Sequence, residues 1–382
     1  MSEQQSLDHQ LRAQLNKRSE AGLLRQLRVA ENKIDFCSND YLGFARSEAL
    51  RDAIHRESQA TMVGSTGSRL LTGHSKLAEE LEHTIATFHD SPTALLFNSG
   101  YDANVGLFTS LGRMVGHVVY DELIHASVHD GMRLSKANTA PFRHNDPKHL
   151  DEVLSAINAP ALVAVESIYS MDGDACQLQA VVEVCQRHHA FLIVDEAHAL
   201  GLFGQQGRGL VHQFQLQDKV AARLVTFGKS LGCHGAAVLG SEVLRQYLIN
   251  YARPLIYSTF TSPHALIAIK CGYDMLSGLN FNALKIREII GLLQLELKEV
   301  QGASLIPSDS AIQCLIVPGA VRCRAVAQQV WDAGFDVRPI VAPTVAAGQE
   351  RIRICLHEFN TQAEVLALAT ELREALISNP AI

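Results

Sequence analysis

The stretch FLIVDEAHALGLFG, Phe191 to Gly204, opens on four apolar residues with no polar alternation and then presents Asp195, Glu196 and His198. A strand with one wet face alternates apolar and polar residues; a run without alternation is buried on both faces. Such a strand belongs inside a parallel sheet, and its polar end faces whatever lies beyond the sheet edge. The same form recurs in TALLFNSG (93–100), HVVYDE (117–122), ALVAVESI (161–168), RLVTFGKS (223–230) and AAVLGS (236–241). Helix-sized segments separate these runs. The pattern predicts an α/β fold with a mostly parallel central sheet covered on both sides.

Ligands of open α/β sheets bind at the carboxyl ends of the strands. The groups that end these runs are therefore expected to share one pocket: Asn98-Ser99-Gly100, Asp121-Glu122, Glu166-Ser167, Asp195 with His198, and Thr226 with Lys229. Beyond about residue 285 the texture changes to a long helix, FNALKIREIIGLLQLELKEV, followed by short strands (AIQCLIV, FDVRPI, RIRICLH) and two more helices. This predicts three parts: a leading helix and lead-in segment over 1–45, a large α/β domain over 46–285, and a smaller α+β domain over 286–382. The lead-in IDFCSNDYLGF (34–44) reads as the chain's approach to the large domain.

The 382 residues are 47% hydrophobic and 19% charged, with a net charge of −7. An acidic balance argues against nucleic acid as the main partner. The N-terminal stretch alternates leucines with charges, which reads as an amphipathic helix and not as a signal peptide. No run approaches the roughly 18 apolar residues of a membrane span. The eight cysteines are scattered without a CxxC pair, as expected of reduced thiols in a cytoplasmic protein.

Lys229 stands in TFGKSLGCHGAAVLG among small and apolar residues, where a lysine needs a partner, a task or a route to water. A phosphate loop is excluded, because Arg223 occupies the position of its first glycine and no helix pattern follows. The strand that delivers Asp195 also brings His198, three residues on. A carboxylate suits a protonated heteroaromatic nitrogen, and a lysine forms a Schiff base with an aldehyde. Together they predict pyridoxal phosphate, with Asp195 on the pyridine nitrogen, His198 near the phenolic oxygen and Lys229 on the aldehyde carbon. Small neighbours (Gly228, Ser230, Gly232, Gly235) would let the backbone approach a flat cofactor. The phosphate is expected at Ser99-Gly100-Tyr101, where a strand ends and a helix begins. His125 follows another strand and could stack on the ring. Its spacing of four from His129 resembles a zinc helix, but Ala126 replaces the glutamate of that motif, so no metal is expected. GQQGRG (204–209) reads as a loop and not as a dinucleotide site.

In order, CSNDYLG, GSTGSRLLTG, SGYDANVG, DELIHAS, SIYSMDGD, VDEAHALGLFG, TFGKSLGCHGA and IRICLH resemble the signature stretches of the α-oxoamine synthases, fold type I pyridoxal phosphate enzymes. The resemblance spans nearly the whole chain. It implies Lys229 as the Schiff-base lysine, Asp195 as the pyridine partner, His125 as the stacking histidine and His198 beside the phenolic oxygen. It further implies cofactor contacts from Thr226, Gly100, Tyr101, Glu166 and Ser170, and from Ser258 and Thr259 across a homodimer. Arg353 matches the arginine that holds the amino acid carboxylate, and Arg25 an arginine on the acyl-donor side.

The implied reaction joins an amino acid to an acyl thioester, carried on coenzyme A or on an acyl carrier protein, with loss of carbon dioxide. The likeness is greatest to the biotin-pathway branch, which uses L-alanine and a pimeloyl thioester. One departure concerns that branch: RPIVAPTVAAG carries Val341 where it often has arginine, and Ala346 where it has proline. Glycine-using synthases, serine palmitoyltransferases, aminoketone-signal synthases and, outside the family, aminotransferases remain as alternative readings.

Overall fold

The structure is a computed structural model that describes residues 6–278 and 284–380. Phe281–Ala283, which open the expected long helix, lie outside the described residues. Seven strands form the central sheet: β2 (Thr93–Phe97), β3 (His117–Asp121), β4 (Asn138–Phe142), β5 (Leu162–Glu166), β6 (Phe191–Asp195), β7 (Ala222–Thr226) and β8 (Ala236–Gly240). They follow β1 (Ile34–Asp35) in the chain and lie in the order β2-β8-β7-β6-β5-β3-β4. Strand β8 alone runs antiparallel to its neighbours β2 and β7, and the other contacts are parallel. The expected mostly parallel sheet is present.

The lack of alternation in these strands has its cause in the packing. Leu162, Ala164, Ile193 and Leu224 face a core shared with helices Gly100–Val115 and Ala126–Ser135. Their neighbours Val163, Val165, Leu192 and Val194 face the opposite core, which continues into helix Leu178–Arg187 and the C-terminal lobe. With both faces buried, every position is apolar, and polar residues collect at the strand ends. Strand β4 was not foreseen. It is the sheet edge, its side chains are largely exposed, and it carries Asn138, Thr139 and Pro141, residues that an edge tolerates and an interior strand does not.

The C-terminal lobe holds β9 (Ser304–Leu305), β10 (Ile312–Ile316), β11 (Phe335–Asp336), β12 (Arg338–Ile340) and β13 (Arg351–Cys355). Four of these form an antiparallel sheet in the order β12-β13-β10-β9. Helices Leu284–Leu297, Ala320–Asp332 and Gln362–Ser378 accompany it, and the last begins in a capping box of Thr361 and Glu364. The lead-in segment departs from expectation by joining this lobe first. Strand β1 pairs in parallel with β11, and the Phe36 carbonyl accepts a hydrogen bond from the Cys355 N–H at 2.8 Å.

The leading helix spans Leu7–Glu20 behind a Ser6 cap. Leu7, Leu11 and Leu15, four apart and thus on one face, are 70%, 51% and 52% exposed, so this stripe has no cover among the described residues. Among the described residues no helix is long and apolar enough to cross a membrane.

Candidate active site

Three strands end together at one edge of the sheet. Glu166 closes β5 opposite Asp195 of β6, and Thr226 closes β7 beside them. A cavity of about 300 Å³ opens over these ends, lined among others by Asn39, Gly100, Tyr101, Asn104, His125, Glu166, Asp195, His198, Thr226 and Lys229. The convergence expected of strand-end groups is therefore observed for these and for Ser99, but not for Asn98, Asp121, Glu122 and Ser167. Asp121 is fully buried and serves as a strut: it accepts hydrogen bonds from Tyr169 Oη (2.8 Å) and Asn145 N (2.8 Å) and pairs with His144 Nδ1 (2.9 Å). Glu122 accepts from His144 N at 2.9 Å.

Lys229 sits on the tight connection that reverses the chain from β7 into β8. Phe227 N donates to Gly235 O (2.9 Å), Cys233 N to Phe227 O (2.8 Å) and Gly232 N to Lys229 O (2.9 Å), so the lysine is held on a closed loop. Burial lowers the amine's pKa, while the charges of Asp195 and Glu166 pull it upward. The glycines around it divide into two kinds. A side chain on Gly228 would meet little besides Cys233 O at 3.4 Å, so this residue does open the way to the cavity. Gly232, at φ +59°, instead accommodates the close approach of Ala45, where a Cβ would lie 2.6 Å from Ala45 Cα. Its smallness serves the packing of a neighbouring loop and not a cofactor.

Asp195 is fixed on both oxygens. Oδ1 accepts from Ala197 N (2.9 Å), and Oδ2 accepts from Asn104 Nδ2 (2.9 Å). Asn104 also donates to Ser127 Oγ (3.0 Å). Ser127 in turn lies 2.7 Å from His125 Nδ1, which caps the helix Ala126–Ser135. Burial pushes His125 below the ordinary imidazole range. His198 is buried with Nδ1 2.7 Å from Tyr41 Oη, and burial together with the Lys229 and Arg353 charges lowers its pKa further. Glu166 moves the other way: burial and the Asp195 charge raise its carboxyl well above the usual range. Its Oε2 accepts from Ser170 N at 3.0 Å, and its buried Oε1 has no partner.

The end of the cavity where a phosphate is expected is bordered by the start of helix Gly100–Val115. Ser99 caps this helix by accepting from Asp102 N at 3.1 Å. A Cβ on Gly100 would lie 2.6 Å from Thr226 Cγ2, so glycine is required for the helix start to reach the strand end. Thr226 Oγ1 is buried without a partner. Tyr101 is 49% exposed at the rim and donates to Asp130 Oδ2 at 2.7 Å.

Arg353, on β13, reaches across from the other lobe. Its Nε donates to Ser170 O (2.7 Å), its Nη2 to Asn39 Oδ1 (3.0 Å) and its Nη1 to Cys355 Sγ (3.0 Å). All three partners are neutral. Ser170 thus touches both Glu166 and Arg353 without lining the cavity wall. It sits in a hairpin whose Asp172 is ion-paired with Arg351, also from β13. The other side of that hairpin is held by His144, which bridges Asp121 and Asp174 (2.9 and 3.1 Å). His144, Asp172 and Asp174 lie close enough to suggest a metal, but two of their bonds are already spent on this ion-pair network.

Of the expected residues, Ser170 and Arg353 stand behind the cavity wall, and Ser258, Thr259 and Arg25 are not brought to it. Ser258 donates to Pro254 O, and Thr259 O accepts from Asn98 Nδ2 at 2.8 Å, on the connection before helix Pro263–Gly278. Arg25 lines a separate groove with Arg18, Arg324 and the 339–344 stretch that includes Val341. Arg338 is committed elsewhere, to Asp336 (2.9 Å) and the Trp331 ring.

Other residues at or near the site were not foreseen. Asn39, Tyr41 and Asn104 act through contacts distant in sequence; their signal was a polar residue inside CSNDYLG and inside the apolar helix pattern of SGYDANVG. Arg223 and Glu196, one residue from Asp195, form a buried ion pair at 2.8 Å.

These features fit pyridoxal phosphate: an orphaned hydroxyl and a glycine-tight helix start for a phosphate, a doubly held carboxylate for a ring nitrogen, and a lysine opposite. The chain belongs to the aminotransferase class I and II family, which matches residues 31–371. It is a pyridoxal phosphate-dependent transferase of fold type I. Among curated relatives, the 8-amino-7-oxononanoate synthase of Emericella nidulans is 42% identical, with 93% of this chain and 92% of that protein covered. That of Methylobacillus flagellatus is 33% identical over 94% of this chain and 93% of its own. Among solved structures, the serine palmitoyltransferase of S. paucimobilis with bound pyridoxal phosphate and myriocin aligns with a TM-score of 0.87 at 26% identity, covering 97% of each chain. The 8-amino-7-oxononanoate synthase of Francisella tularensis aligns with a TM-score of 0.79 at 25% identity, covering 91% of this chain and 99% of that one.

Proposed function

We propose that the protein is an 8-amino-7-oxononanoate synthase of biotin biosynthesis, condensing L-alanine with a pimeloyl thioester and releasing carbon dioxide and free thiol. The observation that carries this reading is a cavity-lining Lys229 amine made less basic by burial, together with an Arg353 fork that bonds the cavity-lining Asn39 and whose partners are all neutral. The relatives' names supply the substrates.

In this reading the Arg353 guanidinium binds the amino acid carboxylate bidentately, a geometry a planar fork provides and an ammonium does not. Lys229, partly neutral near physiological pH, takes the proton from Cα and later returns one. Bound in the cavity, pyridoxal phosphate supplies an electron-withdrawing ring that accepts the electron pair left at Cα. Asp195, anchored by Asn104 and the Ala197 N–H, keeps its charge directed at the ring nitrogen. Thr226 Oγ1 and the N–H groups of Gly100 and Tyr101 hold the phosphate, His125 covers the ring, and His198 faces the phenolic oxygen. Glu166 and Ser170 border the same space. A carbon–carbon bond forms between Cα and the acyl carbon as the carbon–sulfur bond breaks, and the bond to the carboxylate then breaks as carbon dioxide leaves.

The protein acts as a homodimer in the same reading. Met62 (74% exposed), Val63 (95%), Leu71 (79%) and Tyr257 (71%) stand on adjoining segments, joined by Phe260 N donating to Gly67 O, next to Ser258 and Thr259. That face would present Ser258 and Thr259 to the partner's phosphate site. Arg25 would serve the acyl-donor side.

The test is a matrix of alanine, glycine and serine against pimeloyl, acetyl, succinyl and palmitoyl thioesters of coenzyme A and of acyl carrier protein, scored by released thiol. Turnover confined to alanine with pimeloyl supports the reading. Preference for glycine or serine, or transamination without thiol release, overturns it.

A further inference from the structure

Tyr41 is fully buried, and its hydroxyl stands between two partners it could donate to: His198 Nδ1 at 2.7 Å and Asn39 Oδ1 at 3.0 Å. A phenol carries one hydrogen and can serve only one of them. Asn39 Oδ1 already accepts from Arg353 Nη2 at 3.0 Å, so it is satisfied without Tyr41. Among the described residues Tyr41 is the hydrogen-bond partner of His198 Nδ1, and an imidazole nitrogen buried without a partner is costly. Burial keeps Tyr41 protonated and His198 uncharged, so one nitrogen of the ring is a donor and the other an acceptor.

We propose that Tyr41 is a positioning residue that donates to His198 Nδ1 and thereby fixes the Nε2–H tautomer, leaving a hydrogen-bond donor directed into the cavity. The bond chain Arg353–Asn39–Tyr41–His198 then joins the carboxylate-binding side of the site to the histidine beside the cofactor. Arg353 occupies the Asn39 oxygen, which frees the phenol for His198. The shorter contact to His198 and the Asn39 oxygen already occupied by Arg353 favour the Nε2–H tautomer over the reverse, in which Nδ1–H donates to Tyr41 and Tyr41 to Asn39. Its use, donation to the cofactor's phenolic oxygen, rests on the proposed role of His198.

Two measurements on the holoenzyme separate these levels. Nitrogen NMR of ¹⁵N-histidine-labelled protein, with the His198 signal assigned by its loss in His198→Gln, is expected to show Nε2 protonated and Nδ1 as acceptor. In Tyr41→Phe, which keeps the ring packing, that pattern is lost. The absorbance titration of the bound cofactor moves to higher pH by about one unit, because a donor to the phenolate is weakened. Protonated Nδ1 in the wild type, or a Tyr41→Phe holoenzyme with both the nitrogen pattern and the titration unchanged, overturns the proposal. A changed nitrogen pattern with an unmoved titration upholds the role of Tyr41 and removes His198 from the phenolic oxygen. Near-equal thermal midpoints of the two proteins exclude a general packing defect.

Discussion

Replacing Arg223 by methionine tests the support beneath the site. Side-chain exposure of Arg223 and Glu196 is 3% and 0%, so solvent screens their charges little. Arg223 donates through Nε and Nη2 to Glu196 Oε2 (3.0 and 2.8 Å), through Nη1 to His89 O (3.0 Å) and through Nη2 to Arg208 O (2.9 Å). Among the described residues, the variant leaves the buried Glu196 carboxylate only the Val211 N–H (2.9 Å) as a polar partner. Breaking one half of a buried pair costs about 3–5 kcal/mol. Unfolding entropy of about 2.1 cal/mol/K per residue over the chain's length gives about 0.8 kcal/mol/K, so the melting midpoint falls by about 4–6 °C. Scanning calorimetry at matched scan rates measures it. The double variant Arg223→Met/Glu196→Leu removes the stranded charge and recovers most of the loss, short of the unpaired Val211 N–H. A single variant that melts within about 1 °C of wild type refutes the reasoning, as does a double variant no better than the single.

Two further outcomes follow from the site. Gly100→Ala places a methyl group 2.6 Å from Thr226 Cγ2, so the helix start must retreat from the strand end. A cost of about 1–3 kcal/mol falls on the proposed phosphate cradle, and equilibrium titration with pyridoxal phosphate is expected to show binding weaker by about five- to 150-fold with little change in fold. For His144, burial disfavours the charge, but hydrogen bonds to Asp121 and Asp174 outweigh it and raise the ring from 6.5 to about 10. A raised histidine stabilises the fold in full below its ordinary value, and that contribution is lost as pH rises through about 10. Denaturation midpoints are therefore expected to fall from neutral pH to about pH 10, and the slope is expected to flatten in His144→Gln.

Much of the architecture was legible because burial on both faces writes the central strands as unbroken apolar runs. Asp195, Glu166 and Thr226 were legible for the same reason: polar residues ending such runs have one edge to face. Strand β4 was hidden because an edge strand keeps polar residues and proline. Tyr41 and Asn104 were hidden because their partners are distant, Tyr41 bonding His198 across 157 positions and Asn104 bonding Asp195 across 91. Arg223 entered the sequence reading only as a misfit in a phosphate-loop pattern. An arginine inside an apolar strand, with Glu196 ending the preceding one, is the signal of a buried pair.

The central claim is that Lys229 is the amine that bonds the cofactor. Borohydride reduction of the yellow holoenzyme, followed by proteolysis and mass spectrometry, is predicted to place the pyridoxyl group on the peptide containing Lys229 and to give no labelled peptide in Lys229→Ala. Label on a different lysine, or undiminished labelling of the variant, contradicts the account.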